Sequence, residues 1–457
     1  MSEATFDAAI IGGGVVGCAV LRALTLAGLK CVLLERGADI LSGASKGNSA
    51  ILHTGFDAPE VSLELRLMQA GRAEYLAIRD RLNLPVVECG AILAAWDEEQ
   101  AGKLPAIEAQ AHRNGVTDVR AMKPDEIAAA LPRLAKPTSA LTVPGEWIID
   151  PWSAPLAYAM QAIQNGAEIR RMAEVTGAIR EDGIWRLATS CGPLAARIVV
   201  NCAGNFGDHV EALCRPPPFA IRPRRGQFAV FDKTALPLAN RIVLPVPTER
   251  TKGVVLFPTV FGNVAIGPTA EDQEDREAAT TDQETLENLR REAERLVPAL
   301  AAHPVTATYA GLRPATDRKD YVIEVLPRQS WICVAGIRST GLTAALGAGA
   351  HVAGLVETHF QSLAPLKNPL WPRMPNLAEH LPRDHDRAGR GALACLCELA
   401  TWDEVEAALS GPLPAGDLGG LKRRTRAMMG RCQGSNCLPH IVARCGDRLI
   451  ALRAGAP

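Results

Sequence analysis

The chain carries almost no net charge: 49 Lys and Arg stand against 50 Asp and Glu, a formal balance of -1 over 457 residues. No whole-chain field points to nucleic acid, so any ligand has to be argued from a site. Long uninterrupted apolar runs are missing as well. Stretches such as Ala8 to Val20 are broken by glycines and too short to cross a bilayer as a helix, which argues against an integral membrane protein. Residues Met1 to Asp7 hold no basic leader ahead of an apolar signal region, so a cytoplasmic location is expected rather than export. Cysteine is sparse too: 12 residues are far below the density of a small disulfide scaffold. No internal repeat is evident. What is present, 47% hydrophobic and 22% charged residues, is an ordinary globular balance in a chain long enough for about three domains.

A short apolar strand, Ala8-Ala9-Ile10-Ile11, runs into Gly12-Gly13-Gly14-Val15-Val16-Gly17. Cys18 to Leu29 then carries small and branched apolar residues suited to a packed helix, and Cys31 to Leu34 makes a second strand ending at Glu35. Strand, glycine turn, helix and strand within about 30 residues is the context a dinucleotide site requires. A glycine triplet alone would read as a tight turn. Here the flanking elements and an acidic residue 23 positions after Gly12 agree. Gly12 allows the turn, Gly14 lets the backbone approach a pyrophosphate, and Gly17 lets the helix pack against the sheet. The diphosphate would sit on the free amides and positive end of that helix. Glu35 is placed to accept from ribose hydroxyls, and its charge argues against a 2'-phosphate. Val15, Val16 and Arg36 complete this candidate set.

Periodicity predicts helices over Val61 to Ile78, Lys103 to Asn114, Pro124 to Leu134, Ala154 to Asn165 and Asp282 to Val297, with little strand signal between 86 and 144. Arg197 to Asn201 reads as a strand running into the small-residue turn Cys202-Ala203-Gly204, so the nucleotide fold resumes after an excursion. Short apolar strands at Phe228 to Phe231, Arg241 to Val246, Gly253 to Phe257 and Asn263 to Ile266 suggest a separate antiparallel sheet. Tyr321 to Glu324 and Trp331 to Ala335 are further strands, and Gly336 to Val352 suits a buried turn and helix approaching a cofactor. Prolines 365, 369, 372, 375 and 382 mark a linker over 366–388.

Five of the cysteines fall in the last 63 residues. Cys395-x-Cys397 and Cys432-x4-Cys437 define a four-thiolate set, two close pairs separated by a helical region. Such a set suits a zinc ion or a 2Fe-2S cluster, and the residues alone leave those two open. Cys445 reads as an ordinary cysteine. Lys422, Arg423, Arg424, Arg426 and Arg431 form a basic segment able to offset a cluster's negative charge or to dock an acidic partner. A nucleic-acid module built on this segment is disfavoured, because aromatics are not interleaved with it.

Ser42-Gly43-Ala44-Ser45-Lys46-Gly47-Asn48-Ser49 is followed by Ile51-Leu52-His53-Thr54-Gly55. Together with the first motif, Asn201-Cys202-Ala203-Gly204, Ala310-Gly311-Leu312-Arg313-Pro314 and Gly336-Ile337-Arg338-Ser339-Thr340-Gly341-Leu342, these segments resemble the D-amino-acid-oxidase-like superfamily of FAD-dependent oxidoreductases. The resemblance covers about residues 5 to 360 and is strongest to the branch containing glycerol-3-phosphate dehydrogenase and L-2-hydroxyglutarate oxidase. It implies an α/β fold, a FAD-binding Rossmann-like domain with an inserted α+β substrate cap. Residues 1–85, 145–215 and 325–365 would form the FAD domain, and 86–144 and 216–324 the cap, with Gly226 and Gln227 as a crossing into it.

By the same resemblance, Ser42, Ser45, Asn48 and Ser49 would run along the flavin and pyrophosphate, and Ala203, Gly204 and Gly311 stand at matching cofactor positions. Gly336, Arg338, Ser339, Gly341, Leu342 and Thr343 would close over the pyrimidine side, where amides stabilise an anionic reduced flavin. Arg313 would bind the substrate's anionic group, since its planar fork suits a pair of carboxylate or phosphate oxygens. The plain alternative is a surface ion pair with an acid such as Asp320. His53 would stand beside the flavin and accept the hydroxyl proton while hydride passes to flavin N5, the alternative being a structural histidine bonded to backbone.

Glycerol-3-phosphate dehydrogenases typically continue with Gly-x-Arg-Tyr, whereas this chain reads Gly55-Phe56-Asp57-Ala58-Pro59. An aspartate would repel a doubly charged phosphate. A 2-hydroxy carboxylate, or a related amino or imino acid, is therefore expected ahead of a phosphate ester, although Arg66 or Arg338 could compensate.

Cys395-Leu396-Cys397-Glu398 and the segment from Leu421 to Cys437 resemble the ferredoxin-like domain named after bacterioferritin-associated ferredoxin. That implies a small helical 2Fe-2S domain over 389–457, with helices at Thr401 to Leu409 and Leu418 to Met429 and ligands Cys395, Cys397, Cys432 and Cys437. A one-electron centre favours a dehydrogenase feeding a quinone or a redox-partner subunit over a simple oxidase. No second Gly-x-Gly-x-x-Gly site is evident for NADH. Expected partners are a small anionic organic substrate and that acceptor, in a hetero-oligomer peripheral to the membrane through its partner. A cofactor-carrying subunit without turnover of its own is the alternative.

Overall fold

The computed structural model describes residues 5–247, 253–389 and 391–450. Residues 1–4 and 451–457, at the ends of the expected first and last units, lie outside the described residues. The strand Phe6–Ile11 pairs in parallel with Cys31–Leu34 on one side and Leu194–Asn201 on the other. Glu168–Arg170 joins Cys31–Leu34, and Trp331–Ala335 joins Leu194–Asn201, both again in parallel. The hairpin Val175–Glu181 and Ile184–Thr189, with Val322–Leu326, adds antiparallel strands to make eight. Ala8, Ile10 and Leu33 face one apolar cluster while Ala9, Ile11, Val32 and Leu34 face another, so the sheet is covered on both sides. The helix Val15–Leu26 packs between Ser153–Gln164 and Gly341–His359, and Leu63–Leu82 packs on Gly341–His359.

A second, nine-stranded sheet draws Ala91–Ala95, Arg120–Ala121 and Ser139–Val143 together with strands from Ile221–Phe231 to Val305–Thr316. Its pairings are antiparallel except for Ile242–Pro245 against Ala91–Ala95. Strands in 91–143 were not expected. Ala91–Ala95 reads AILAA, and alanine has weak intrinsic strand preference, so partners on both edges make the strand where local pattern does not. A small sheet of Ile51–Leu52, Trp147–Ile149 and Val86–Val87 links the two larger ones.

Glu98–Arg113 starts five residues before the expected Lys103 and Pro124–Ala130 ends four before the expected Leu134, and two further departures have local causes. Leu63–Leu82 starts at a Ser62 cap reinforced by Asp320, which accepts from the amides of Leu63 at 2.8 Å and Glu64 at 3.0 Å. It ends at Asn83, whose φ of 59° closes the last turn. Leu418–Thr425 stops four residues short of the expected end because Arg426 turns left-handed, φ 66°, to bury its guanidinium against Glu398.

The proline-rich stretch expected as a linker is a strap fixed to both large units. Leu366 N donates to Leu26 O, Met374 N to Leu82 O and Glu379 N to Val260 O, each at 2.9 Å. Leu377 and Ala378 are buried in the core under the second sheet. Beyond the strap, the hairpin Leu393–Cys395 and Ala400–Thr401 and the helices Trp402–Ser410, Leu418–Thr425 and Leu438–Cys445 enclose a core of Val405, Leu421, Met428 and Ile441. Among the described residues no helix is long and apolar enough to cross a membrane.

Candidate active site

The helices Val15–Leu26 and Gly341–His359 are among those without a side-chain cap from their capping residue, and both begin against the segment from Ser42 to His53. Elsewhere Ser62, Asp97, Asp282, Thr401 and Asp417 cap helices, worth about 1 kcal/mol each. Val15–Leu26 begins instead at Gly14, and Gly341–His359 at Thr340, with no side-chain oxygen on their first amides from the capping residue. Gly12 sits at φ +109°, with the Cys202 carbonyl where a side chain would stand, and a Cβ on Gly17 would run into the Gly12 carbonyl. These contacts leave a cradle of close main chain without side chains of its own at Gly12, Gly14 and Gly17, the form a dinucleotide pyrophosphate fits.

Around that cradle Ser45 Oγ accepts from Val15 N at 2.9 Å, so Ser45 reaches the helix start with Val15 and Val16. Glu35 is nearly buried and accepts from Gly13 N at 2.8 Å and Gly37 N at 2.7 Å. Burial holds its carboxyl above the ordinary range, against the opposing pull of those amides. Arg36 stacks on the Phe206 ring at 3.9 Å and pairs with Glu277 at 2.7 Å. Ser42 lies beside Gly37, and Ala203 and Gly204 follow the strand end over Gly12. The first set of predicted residues is thus gathered in one place.

The segment then passes between the two sheets. Gly47 and Gly311 meet backbone to backbone with no room for a Cβ, and Tyr309 donates its hydroxyl to Asn48 O at 2.9 Å. Asn48 folds back on Ser45 O and accepts from Ala50 N, with Ser49 half-buried between them. Thr343, in the first turn of Gly341–His359 after Leu342, donates to Ile51 O at 3.2 Å and accepts from His53 N at 3.0 Å. That turn follows Gly336, at φ +71°, Arg338, whose guanidinium donates to Lys319 O, and exposed Ser339.

His53 Nδ1 lies 2.8 Å from Glu146 Oε2. Glu146 is fully buried, and its Oε1 accepts from Thr54 N at 2.6 Å and Thr54 Oγ1 at 2.8 Å. Sequence reasoning missed both Glu146 and Thr54. A lone acid in the turn Pro144-Gly145-Glu146 carries no local signal, since 93 residues separate it from His53. Gly145 makes the approach possible, because a Cβ there would meet Thr54 Cγ2 at 2.6 Å.

Arg313 shares the strand face of Tyr309 and Gly311, and its partners are carbonyls rather than the ion pair that was the alternative to substrate binding. Nε donates to Arg224 O at 3.3 Å, and Nη2 to Arg225 O at 3.2 Å and Thr269 O at 2.5 Å. Asp320 instead holds the start of Leu63–Leu82. Burial pulls Arg313 down to about 10, with Arg224 acting the same way and Asp272 and Glu271 opposing.

In the C-terminal unit Cys397 lies beside Cys432 and Cys395 beside Cys437. The amides of Asn436 and Gly434 and the neighbouring Cys397 and Ser435 groups bring Cys432 down to about 7, while burial pushes Cys437 up to about 11. Yet among the described residues no group of three or more His, Cys, Asp or Glu side chains forms a metal-ion site, so the expected ligand set stands as two thiol pairs. The basic segment is not a free docking face either. Arg424 binds Asp39, Arg423 donates to Ile40 O, Arg426 pairs with Glu398 and Arg431 with Asp232. Arg423, Arg424 and Arg431 thus hold this unit against the two others, while Arg426 pairs inside it.

The chain is 32% identical over 448 residues to the glycerol 3-phosphate dehydrogenase of Caloramator mitchellensis, covering 96% of this chain and 93% of that one. It is 28% identical over 287 residues to the mitochondrial L-2-hydroxyglutarate dehydrogenase of Homo sapiens, covering 59% of this chain and 62% of that one. Dithionite-reduced L-alpha-glycerophosphate oxidase from Mycoplasma pneumoniae, solved with FAD bound, superposes with a TM-score of 0.74 at 27% identity, covering 80% of this chain and 97% of that chain. Residues 7–355 match the family described as DAO, FAD dependent oxidoreductase, and with the glycine cradle and two uncapped helices in place the protein belongs to that family.

Proposed function

We propose that this FAD-dependent oxidoreductase is a dehydrogenase of a small anionic hydroxy compound, with glycerol 3-phosphate the first substrate to test. The carrying observation is His53, an imidazole held by Glu146 on one side of its ring and by Thr343 through its main chain, where the second uncapped helix begins. FAD, when bound, supplies the hydride acceptor. Gly12, Gly14, Gly17, Glu35 and Ser45 would hold its dinucleotide part, and Gly336 to Thr343 its ring. His53 takes the hydroxyl proton at Nε2 as the carbon gives up hydride. Arg313 meets the anionic group by turning part of its fork from the carbonyls it now serves. The relative that extends over 96% of the chain supports the phosphate ester.

A second reading, a 2-hydroxy acid, rests on Asp57, which stands after Gly55 and Phe56 where a phosphate would want a cation. Anaerobic bleaching of the flavin by glycerol 3-phosphate, L-2-hydroxyglutarate, other 2-hydroxy acids and imino acids separates these. Bleaching by glycerol 3-phosphate first supports the primary reading. Bleaching by none makes the protein a cofactor-carrying subunit.

We further propose that Cys395, Cys397, Cys432 and Cys437 bind a 2Fe-2S cluster through which electrons leave to a quinone or redox partner. The donors support this: two thiol pairs in mutual contact suit a centre whose ligands divide two and two over its irons, and amides already favour the thiolate at Cys432. About two irons and two acid-labile sulfides per chain are expected. One zinc without sulfide rejects the cluster.

A further inference from the structure

Glu146 is reached by donors of two kinds, and the difference between them has a chemical consequence. Oε2 faces His53 Nδ1, a ring nitrogen that can either carry a proton or accept one. Oε1 faces Thr54 N, a main-chain N–H that can only donate. Thr54 Oγ1 also gives its proton to Oε1, since Phe56 N donates to it from the other side at 3.3 Å. The carboxylate is therefore locked in one rotation with an acceptor toward each neighbour. Facing an acceptor, the imidazole places its proton on Nδ1, and Nε2 is left with a free lone pair.

We propose that Glu146 is the positioning residue that holds His53 in the Nδ1–H tautomer, the only neutral form whose Nε2 can accept a substrate proton. This rests on the reading of His53 as proton acceptor given above. Thr54 makes the requirement strict. An amide at position 146 has one oxygen, and the main-chain N–H of Thr54 claims it, so the NH2 group must turn to His53. Facing a donor, the ring moves its proton to Nε2 and loses its basic nitrogen where it is needed. A shorter carboxylate, by contrast, keeps two acceptors and can preserve the tautomer at the expense of a longer bond.

The two substitutions therefore rank in an order that packing alone would reverse. Glu146→Gln keeps the size and shape of the buried side chain; Glu146→Asp removes a methylene and leaves a gap. If Glu146 serves only to fill space, Gln should behave as the parent and Asp should be impaired. If it sets the tautomer, E146Q should lower the rate of anaerobic flavin reduction by substrate by roughly 10²- to 10⁴-fold, and E146D by much less.

The direct readout is 15N NMR of selectively labelled histidine in the full-length protein, with His53 assigned by its loss in His53→Asn. The parent and E146D should show His53 protonated at Nδ1, and E146Q should show it protonated at Nε2. An unchanged tautomer in E146Q overturns the proposal, whichever variant is faster. The tautomer is read without turnover. A flipped ring in E146Q together with full substrate reduction would sustain the positioning claim and instead refute His53 as the proton acceptor.

Discussion

Asp39 and Arg424, 385 residues apart, form a bidentate pair at 2.6 and 3.0 Å in which the carboxylate is fully buried. Asp39 belongs to the turn that follows Glu35, and Leu41 N in the same turn donates to Gly13 O at 2.9 Å. The C-terminal unit thereby bears on the turn that shapes the glycine cradle. Gly416 N adds a bond to Asp39 at 3.1 Å, and Arg171 reaches across to Pro414 O at 2.6 Å.

Asp39→Ala strands the Arg424 guanidinium, and breaking a buried pair from one side costs about 3–5 kcal/mol. Chemical denaturation of the purified protein should show a loss of that order. Increased proteolytic cutting within 365–386 should accompany it, as the strap loses a fixed unit at its far end.

Gly17→Ala pushes a methyl group into the Gly12 carbonyl. Overpacking of this kind costs about 1–3 kcal/mol, and here the displaced atoms form the cradle itself. The variant should purify with little flavin, read from its visible absorbance, while its circular dichroism stays close to the parent. Full flavin content would reject the cradle assignment.

Thr343→Val is nearly isosteric but leaves His53 N and Ile51 O without their shared partner. A stability loss of about 1–3 kcal/mol is expected. Substrate-dependent flavin reduction should slow more than FAD affinity falls, because the lost bond orients His53 and not the dinucleotide.

Cys432 is brought below its ordinary value to about 7, chiefly by the Asn436 amide. A group with a depressed value contributes stability above its unfolded value that is lost as pH falls through the folded one. The metal-free protein should thus lose this contribution as the pH falls below about 9 and through about 7. Alkylation of Cys432 should rise around pH 7, well before that of Cys437, which burial holds near 11. Equal rates for the two would contradict the amide cradle around Cys432.

The glycine turn and its strands could be read directly because their constraint is local: Gly12, Gly17 and Glu35 act within one βαβ unit. Helix faces were read for the same reason, to within a few residues. Ala91–Ala95 could not be, because its identity as a strand comes from edges supplied by residues 139–143 and 242–245. Glu146 was hidden in the same way, a turn acid whose meaning depends on His53 far off in the chain. Arg313 was picked out by its motif, but motif does not tell which atoms the fork touches, here the carbonyls at 224, 225 and 269. The basic run after Leu421 looked available because sequence shows charges and not their partners.

The strap and the buried Asp39 together bear on how such a chain could have been assembled. A flavin unit that ended near residue 360 would leave Asp39 without the Arg424 fork, with Arg171 at 4.0 Å, and Asp232 without Arg431. The helix Leu63–Leu82 would also lose the segment that closes over its last turn at Met374. The cysteine unit is therefore not cargo behind a tether. Each side carries charges met by the other, so exchanging either one for an unadapted counterpart would leave those charges without their partners.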